Sequence, residues 1–191
     1  WEKICMSDNK VQILPAFVDL ETVGLDADYG RVLCGSIKHY GQPTVTYRSD
    51  YTKSGKAHIW DDRDVVVQIR NAIESSFMIM TWNGIMFDIK YLNSRLMFHE
   101  ERAIRKPLHK DLLFVAKSNL LCHNHRLQSV QEFLNLAEEK TRLQPHMWVR
   151  AMAGDREAMN YVVEHCEADV AVTELAFERL VPFIREIHTG G

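Results

Sequence analysis

The side chains of this sequence best suited to chemistry are carboxylates that come in company. Asp19 and Glu21 stand in Ala16-Phe17-Val18-Asp19-Leu20-Glu21-Thr22, two acids at i and i+2. On a strand those positions point to one face, so both would project from the end of an otherwise apolar strand. Like charges so close repel and are costly to desolvate unless a cation lies between them. A strand end open to water would tolerate them without one. Asp88 follows Asn83 in Trp82-Asn83-Gly84-Ile85-Met86-Phe87-Asp88, where Phe87, Tyr91 and Leu92 are spaced to pack on a core while Asp88 opens a helix. An acid in a first turn is also favoured simply by the helix dipole. His165 and Asp169 lie at i and i+4 of a helical segment anchored by Val162, Val163, Val170 and Leu175, so they share nearly one face. Singly that is an ordinary surface pair, yet an imidazole there can take up a proton near neutral pH. Cys122, His123 and His125 invite a zinc reading. A zinc site needs about four ligands, and with no second half evident the segment reads as a partly exposed loop.

The elements that must position these groups are legible in outline. A strand runs from Leu14 to Leu20; Arg31–His39 and Thr44–Arg48 read as a hairpin around Gly41 and Pro43. The stretch 49–56 is polar and reads as flexible. Asp61 or Asp62 can cap a helix whose apolar face is Val65, Val66, Ile69 and Ile73. A buried strand over Phe77–Thr81 ends at Asn83-Gly84, a helix covers Phe87–Met97, and a strand follows at Leu108–Leu113. The remainder reads as helices over Leu113–Ser118, Leu127–Leu136, His146–Met152 and from Asp155 to about Ile187. Antiparallel strands first, then strands alternating with helices, predict an α/β sandwich on a mixed sheet.

Length and composition agree with this. The chain has 191 residues, 46% of them hydrophobic and 26% charged, values for one domain able to build its own core. No apolar run reaches the roughly 18 residues of a membrane span. Cys5, Cys34, Cys122 and Cys166 are scattered, and charges at Glu2, Lys3, Asp8 and Lys10 interrupt any leader-like stretch. These features predict an intracellular protein, cytoplasmic or in a host-cell cytoplasm if phage-encoded. Trp1 is no initiator, so the chain reads as a fragment, with Met6 a possible native start. The net charge of −3 argues against a general nucleic-acid coat protein.

Taken together, Asp19-x-Glu21, Asn83-x-x-x-x-Asp88 and His165-x-x-x-Asp169, in this order on strand, helix and helix, resemble the motifs of the DEDD exonucleases. These are the DnaQ-like 3′–5′ exonucleases of the ribonuclease H-like fold. The resemblance covers nearly the whole chain. Lys110-Asp111-Leu112-Leu113 is similar to the family's strand between the second and third motifs. Arg126–Leu136 resembles a helix of family-B polymerase proofreading domains. Relatives carry either Tyr four residues before the last Asp or His five before it. Here His165 occupies the tyrosine-type spacing, which makes it a departure from the pattern.

The resemblance implies a single domain over 1–191 with a ribonuclease H-like mixed five-stranded sheet flanked by helices on both faces. It implies that Asp19, Glu21, Asp88 and Asp169 hold two divalent ions, Mg²⁺ or Mn²⁺, able to stabilise the attacking and leaving oxygens at phosphorus. Two such dications would bring the formal charge of −3 to +1. His165 would act as general base or orient the water; His165 merely packing, or His188 reaching the site, remain alternatives. Leu20, Thr22, Val23 and Asn83 would meet the terminal nucleotide, although Asn83 is also a turn former beside Gly84. Asp111 reads as support rather than a ligand, and Glu164 and Glu167 as solvated. Tyr47, Arg48, Tyr51, Lys53 and Lys56 could stack bases and follow phosphates, as could the basic group Arg102, Arg105, Lys106, His109 and Lys110; each also reads as a solvated loop. The implied partner is a nucleic acid with a free 3′ end, DNA somewhat favoured over RNA. The competing expectations are a catalytically weak or inactive module of the same fold binding nucleic acid or a polymerase, and a ribonuclease H-type endonuclease.

Overall fold

A computed structural model of the protein describes residues 14–105, 107–136 and 144–184. The first apolar run forms β1 (Ala16–Thr22), which runs two residues past Leu20 because Glu21 and Thr22 still pair with the next strand. Then come β2 (Val32–His39) and β3 (Thr44–Arg48), an antiparallel hairpin turning at Gly41.

The segment expected to be flexible is instead folded, into a 3₁₀ turn (Ser49–Tyr51) and a short helix, α1 (Lys53–Ala57). Thr52 explains it: its hydroxyl accepts from the Gly55 amide at 3.1 Å and donates to the Ser49 carbonyl at 2.7 Å. Such local bonds order a polar stretch without any apolar periodicity.

In α2 (Arg63–Ser75), Val65, Val66, Ile69 and Ile73 are all fully buried. The two acids before it divide the labour. Asp61 accepts from the Arg63 amide at 3.0 Å. Asp62 makes no capping bond; its carboxylate accepts from the Val32 amide at 2.8 Å and binds Arg95 at 2.9 Å and His99 at 2.6 Å.

The chain continues through β4 (Met78–Thr81), α3 (Asp88–Phe98), β5 (Leu108–Asp111) and α4 (Leu112–Asn119). It ends with α5 (Leu127–Leu134), α6 (Pro145–Met152) and α7 (Arg156–Leu180). Phe77 lies outside β4 and is exposed. β5 stops at Asp111 because that side chain turns to cap α4, accepting from the Leu113 amide at 3.0 Å. α5 stops at Leu134, where Asn135 takes φ 50°. α7 gives way to a 3₁₀ turn over Val181–Phe183, since Pro182 cannot donate the next helical hydrogen bond. The helix therefore stops at Leu180, short of the expected end near Ile187; 185–187 fall outside the described residues, as do Cys5, Lys106 and His188.

The five strands form one sheet in the order β3-β2-β1-β4-β5. β1 is antiparallel to β2 and parallel to β4, and β4 is parallel to β5, so the sheet is mixed. Alternation along β1 sends Ala16, Val18 and Leu20 to one face, where they meet Ile69 of α2 and Leu92 and Leu96 of α3. Phe17 faces the other way, against Leu112 of α4 and Phe177 of α7. On that second face, Leu33 and Cys34 pack with Met147 of α6 and Val162 of α7. Helices therefore cover both faces. Among the described residues no helix is long and apolar enough to cross a membrane.

Candidate active site

Asp19 and Glu21 leave β1 on the face opposite Leu20, beside Ser36 and Cys34 of β2 and under α7. The pairing of β1 with β4 ends at Phe17 and Met80, so the two acids lie beyond the carboxyl end of β4. In parallel α/β sheets that end is where ligands gather. The loop from β4 to α3 brings in Asp88. Asn83 takes φ 72°, and a Cβ on Gly84 would meet the Thr81 side chain at 2.5 Å, so the turn hugs the strand end. Asp111 ties the loop down, accepting from the Asn83 amide at 2.9 Å and the Ile85 amide at 3.0 Å. This is the supporting part expected of Asp111. Asp88 is 4% exposed, and its Oδ1 accepts from the Leu20 amide at 3.0 Å, which ties α3 to the residue between the two β1 acids.

Asp169 and His165 come from α7. His165 Nε2 lies 3.8 Å from Asp169 Oδ2. Glu21, His165 and Asp169 each offer a ligand atom within 4.8 Å of the others, a group able to hold a metal ion.

Electrostatics binds all four acids into one site. Burial raises the Asp19 carboxyl well above its ordinary range, and Asp88, Asp169 and Glu21 each push it further. Burial lifts Glu21 to about 8, against the bond from Trp148, with Asp169 and Asp88 adding to the rise. Burial also lifts Asp88 to about 7, overcoming two backbone hydrogen bonds, with Asp111 and Asp169 contributing. Asp169 is raised by burial, with His165 opposing. Crowded, buried oxygen donors of this kind are the chemistry whose repulsion a hard cation relieves.

Two residues at the site were not foreseen from the sequence. Trp148 on α6 donates from Nε1 to Glu21 Oε2 at 2.9 Å, and its ring meets that of His165 edge to face at 5.3 Å between centroids. Cys166 Sγ donates to Asp19 Oδ2 at 3.4 Å. Cys166 adjoins His165 in sequence and could have been suspected; Trp148 sits in a separate helix with no spacing signal.

The residues expected to touch substrate are placed unevenly. Leu20 is core on the far face, offering the site only its backbone. Thr22 donates to the Gly24 carbonyl at 2.8 Å, and Val23 is half-buried, its carbonyl accepting from Tyr91 at 3.0 Å. Tyr47 pairs with Gly35, in line with Leu20, and packs on the face opposite the carboxylates. Arg48 is bound to Asp50 through two 2.8 Å bonds and lies over Tyr51. Glu164 is exposed, but Glu167 is not simply solvated: its Oε1 accepts from Thr46 at 2.6 Å. In the other basic group Arg102 is held by Glu74 at 2.6 Å, and His109 bonds Thr81 at 2.8 Å. His125 bonds the Leu120 carbonyl at 3.0 Å and His123 bonds Asn124 at 2.6 Å, so neither is turned toward a common ligand with Cys122.

No curated protein matches the chain significantly. Among solved structures it is similar to the family B DNA polymerase from the hyperthermophilic archaeon Pyrobaculum calidifontis, with a TM-score of 0.72 and 16% identity. The match covers 94% of this chain and 26% of the polymerase, so the chain spans about a quarter of that protein's length. At that identity the likeness shows the fold. The family model described as the RNase_H superfamily matches residues 16–181, which take in every strand, α7 and the four convergent acids. The chain belongs to the RNase_H superfamily.

Proposed function

We propose that this chain acts as one metal-dependent 3′–5′ exonuclease domain. It would hydrolyse phosphodiester bonds from the 3′ end of a single-stranded or frayed nucleic acid, DNA somewhat favoured over RNA, and release nucleoside 5′-monophosphates. One observation carries the reading. Four carboxylates from β1, α3 and α7 converge; burial raises all four, repulsion between the acids adds to the rise at Asp19, Glu21 and Asp88, and among the described residues no lysine or arginine is paired with them. Asp19, Glu21, Asp88 and Asp169 are the residues that would hold two divalent ions, Mg²⁺ or Mn²⁺. When bound, such ions supply charge stabilisation at the phosphoryl group and the leaving oxygen.

The chain's own residues supply the rest. We assign His165 the proton of the attacking water, accepted at Nε2, the nitrogen that faces Asp169. Trp148 orients both partners, through its hydrogen bond to Glu21 and its contact with the imidazole. The Leu20 amide aims Asp88. Thr22, Val23 and Asn83 border the strand end where the terminal nucleotide would lie. Tyr47 and Arg48 are left out of the assignment, the one for its position on the opposite face, the other for its engagement by Asp50.

The test is a 3′-labelled single strand, DNA and RNA side by side, in Mg²⁺ or Mn²⁺ against EDTA. Ladder-like shortening that EDTA abolishes is the expected result. Cuts in a circular strand would move the reading to an endonuclease. An unchanged strand after long incubation with Mn²⁺, despite measurable binding, would make the chain a nucleic-acid- or polymerase-binding module.

A further inference from the structure

Away from the carboxylates, Arg31 precedes β2 with 2% of its surface exposed. A guanidinium taken out of water needs good hydrogen bonds and a counter-charge. Arg31 has neither in full. Its terminal nitrogens donate to Ser49 Oγ and to the Met152 carbonyl, each at 3.3 Å, long for such bonds. Its Nε has no hydrogen-bond partner among the described residues. The carboxylates that act on it electrostatically are Asp62 and Asp50, and both are committed elsewhere. Asp62 serves Arg95, His99 and the Val32 amide, while both oxygens of Asp50 are taken by Arg48.

Arg31 also lines a cavity of about 270 Å³, together with Ser49, Asp50, Lys56 and Gly154. Lys56 is exposed and adds a second positive charge. Gly154 sits at φ 92°, and a Cβ there would meet Ile59 Cδ1 at 2.8 Å, so the absence of a side chain keeps this wall clear.

We propose that this cavity binds a phosphate group, whose oxygens complete the hydrogen bonding of Arg31 and supply its counter-charge. The planar fork of a guanidinium matches phosphate oxygens, and a nearby ammonium and hydroxyl complete a phosphate-binding set. The location suits a nucleotide. The Arg31 carbonyl accepts from the Val23 amide at 2.8 Å, and Val23 lies two residues past Glu21, about 7 Å along the strand. One helix serves both places: in α6, Met152 bonds Arg31 and Trp148 bonds Glu21. The phosphate can come from a free ion or mononucleotide, or from the backbone of a bound strand.

The experiment follows the Arg31 Nε–H resonance of the full chain in EDTA during titration with inorganic phosphate, a 5′-mononucleotide or a short single strand. Chloride at matched ionic strength is the control. Expected is a saturable shift with a midpoint near or below about 1 mM for at least one phosphate source. A response to inorganic phosphate or the mononucleotide assigns the site to the free ligand; a response to the strand alone assigns it to a phosphodiester. Lys56→Met, an exposed position, is expected to weaken the response about threefold or more. Arg31→Met should remove it, and if that variant does not fold, the wild-type resonance still decides. No shift with any phosphate source, an equal shift with chloride, or undiminished affinity in Lys56→Met would overturn the proposal. Binding in EDTA involves no turnover, so its failure leaves the nuclease reading standing, and failed cleavage leaves this site testable.

Discussion

At the scale of single residues, three of the four acids of the candidate site are held by something that could have been spent elsewhere: an amide on Asp88, an indole on Glu21, a thiol on Asp19. Asp169→Asn should abolish cleavage while the protein stays folded. Because it removes a mutual repeller, it should also raise the melting temperature in EDTA, measured by thermal denaturation. Full cleavage by this variant would refute its assignment as a ligand. His165→Ala should slow turnover about 10²–10⁴-fold and flatten the acid-side rise of the pH–rate profile. Tyrosine at this position should retain more activity than alanine if orienting the water matters most. Trp148→Phe keeps the ring but loses the donor to Glu21. A hydrogen bond to a charged acceptor is worth about 1.5–3 kcal/mol, so kcat/KM at limiting Mg²⁺ should fall about tenfold or more. Excess metal should restore part of the loss, which a Mg²⁺ titration would read.

At the scale of elements, the site depends on how β2, α2 and α3 are clamped, and Asp62 is the clamp. Burial works to raise its carboxyl, but Arg95, the Val32 amide and His99 together outweigh burial and hold it below the ordinary value of 3.8. With a depressed folded value, its contribution is present above the unfolded pKa and is lost as pH falls through the folded one. Asp62→Asn leaves the Arg95 guanidinium buried with no full counter-charge, and breaking a buried pair in this way costs about 3–5 kcal/mol. Urea unfolding should show that loss, together with a smaller drop in stability on acidification than the parent shows. The helix spacing of Val65, Val66, Ile69 and Ile73 was readable in sequence because apolar burial follows the 3.6-residue period. The role of Asp62 was not, because an acid before a helix reads as a cap until its distant partners are known.

At the scale of the whole molecule, the two faces of the sheet carry different duties. Both faces carry core, but the face under α7 also keeps Asp19 and Glu21 at the carboxyl end of β1. Glu21 at about 8 and Asp88 at about 7 both lie above their unfolded values of 4.5 and 3.8. A raised folded value means stability that is complete below the unfolded pKa and is lost as pH rises through the folded one. In EDTA the melting temperature should therefore fall between about pH 4 and pH 8, by roughly 5 °C or more. Mg²⁺ should reduce that fall, because it favours the ionised acids and releases protons on binding. Glu21→Gln should flatten the EDTA profile. A profile in EDTA that rises steadily over this range would contradict the convergence of the acids.

The sequence by itself determined an α/β sandwich on a mixed sheet, since alternation and helical periodicity record which side chains leave water; helices on both faces were what the family resemblance implied. It also singled out Asp19 with Glu21 and His165 with Asp169, because local spacing places each pair on one side of its own strand or helix, and Asp88 through the order of the three motifs. Only the tertiary structure decided that acids from β1, α3 and α7 share one electrostatic neighbourhood, that Trp148 reaches Glu21, and that Tyr47 faces away. Only it shows Arg31 buried short of a counter-charge. Contacts between residues more than a hundred positions apart follow from strand order and helix docking, and neither leaves a period in the chain.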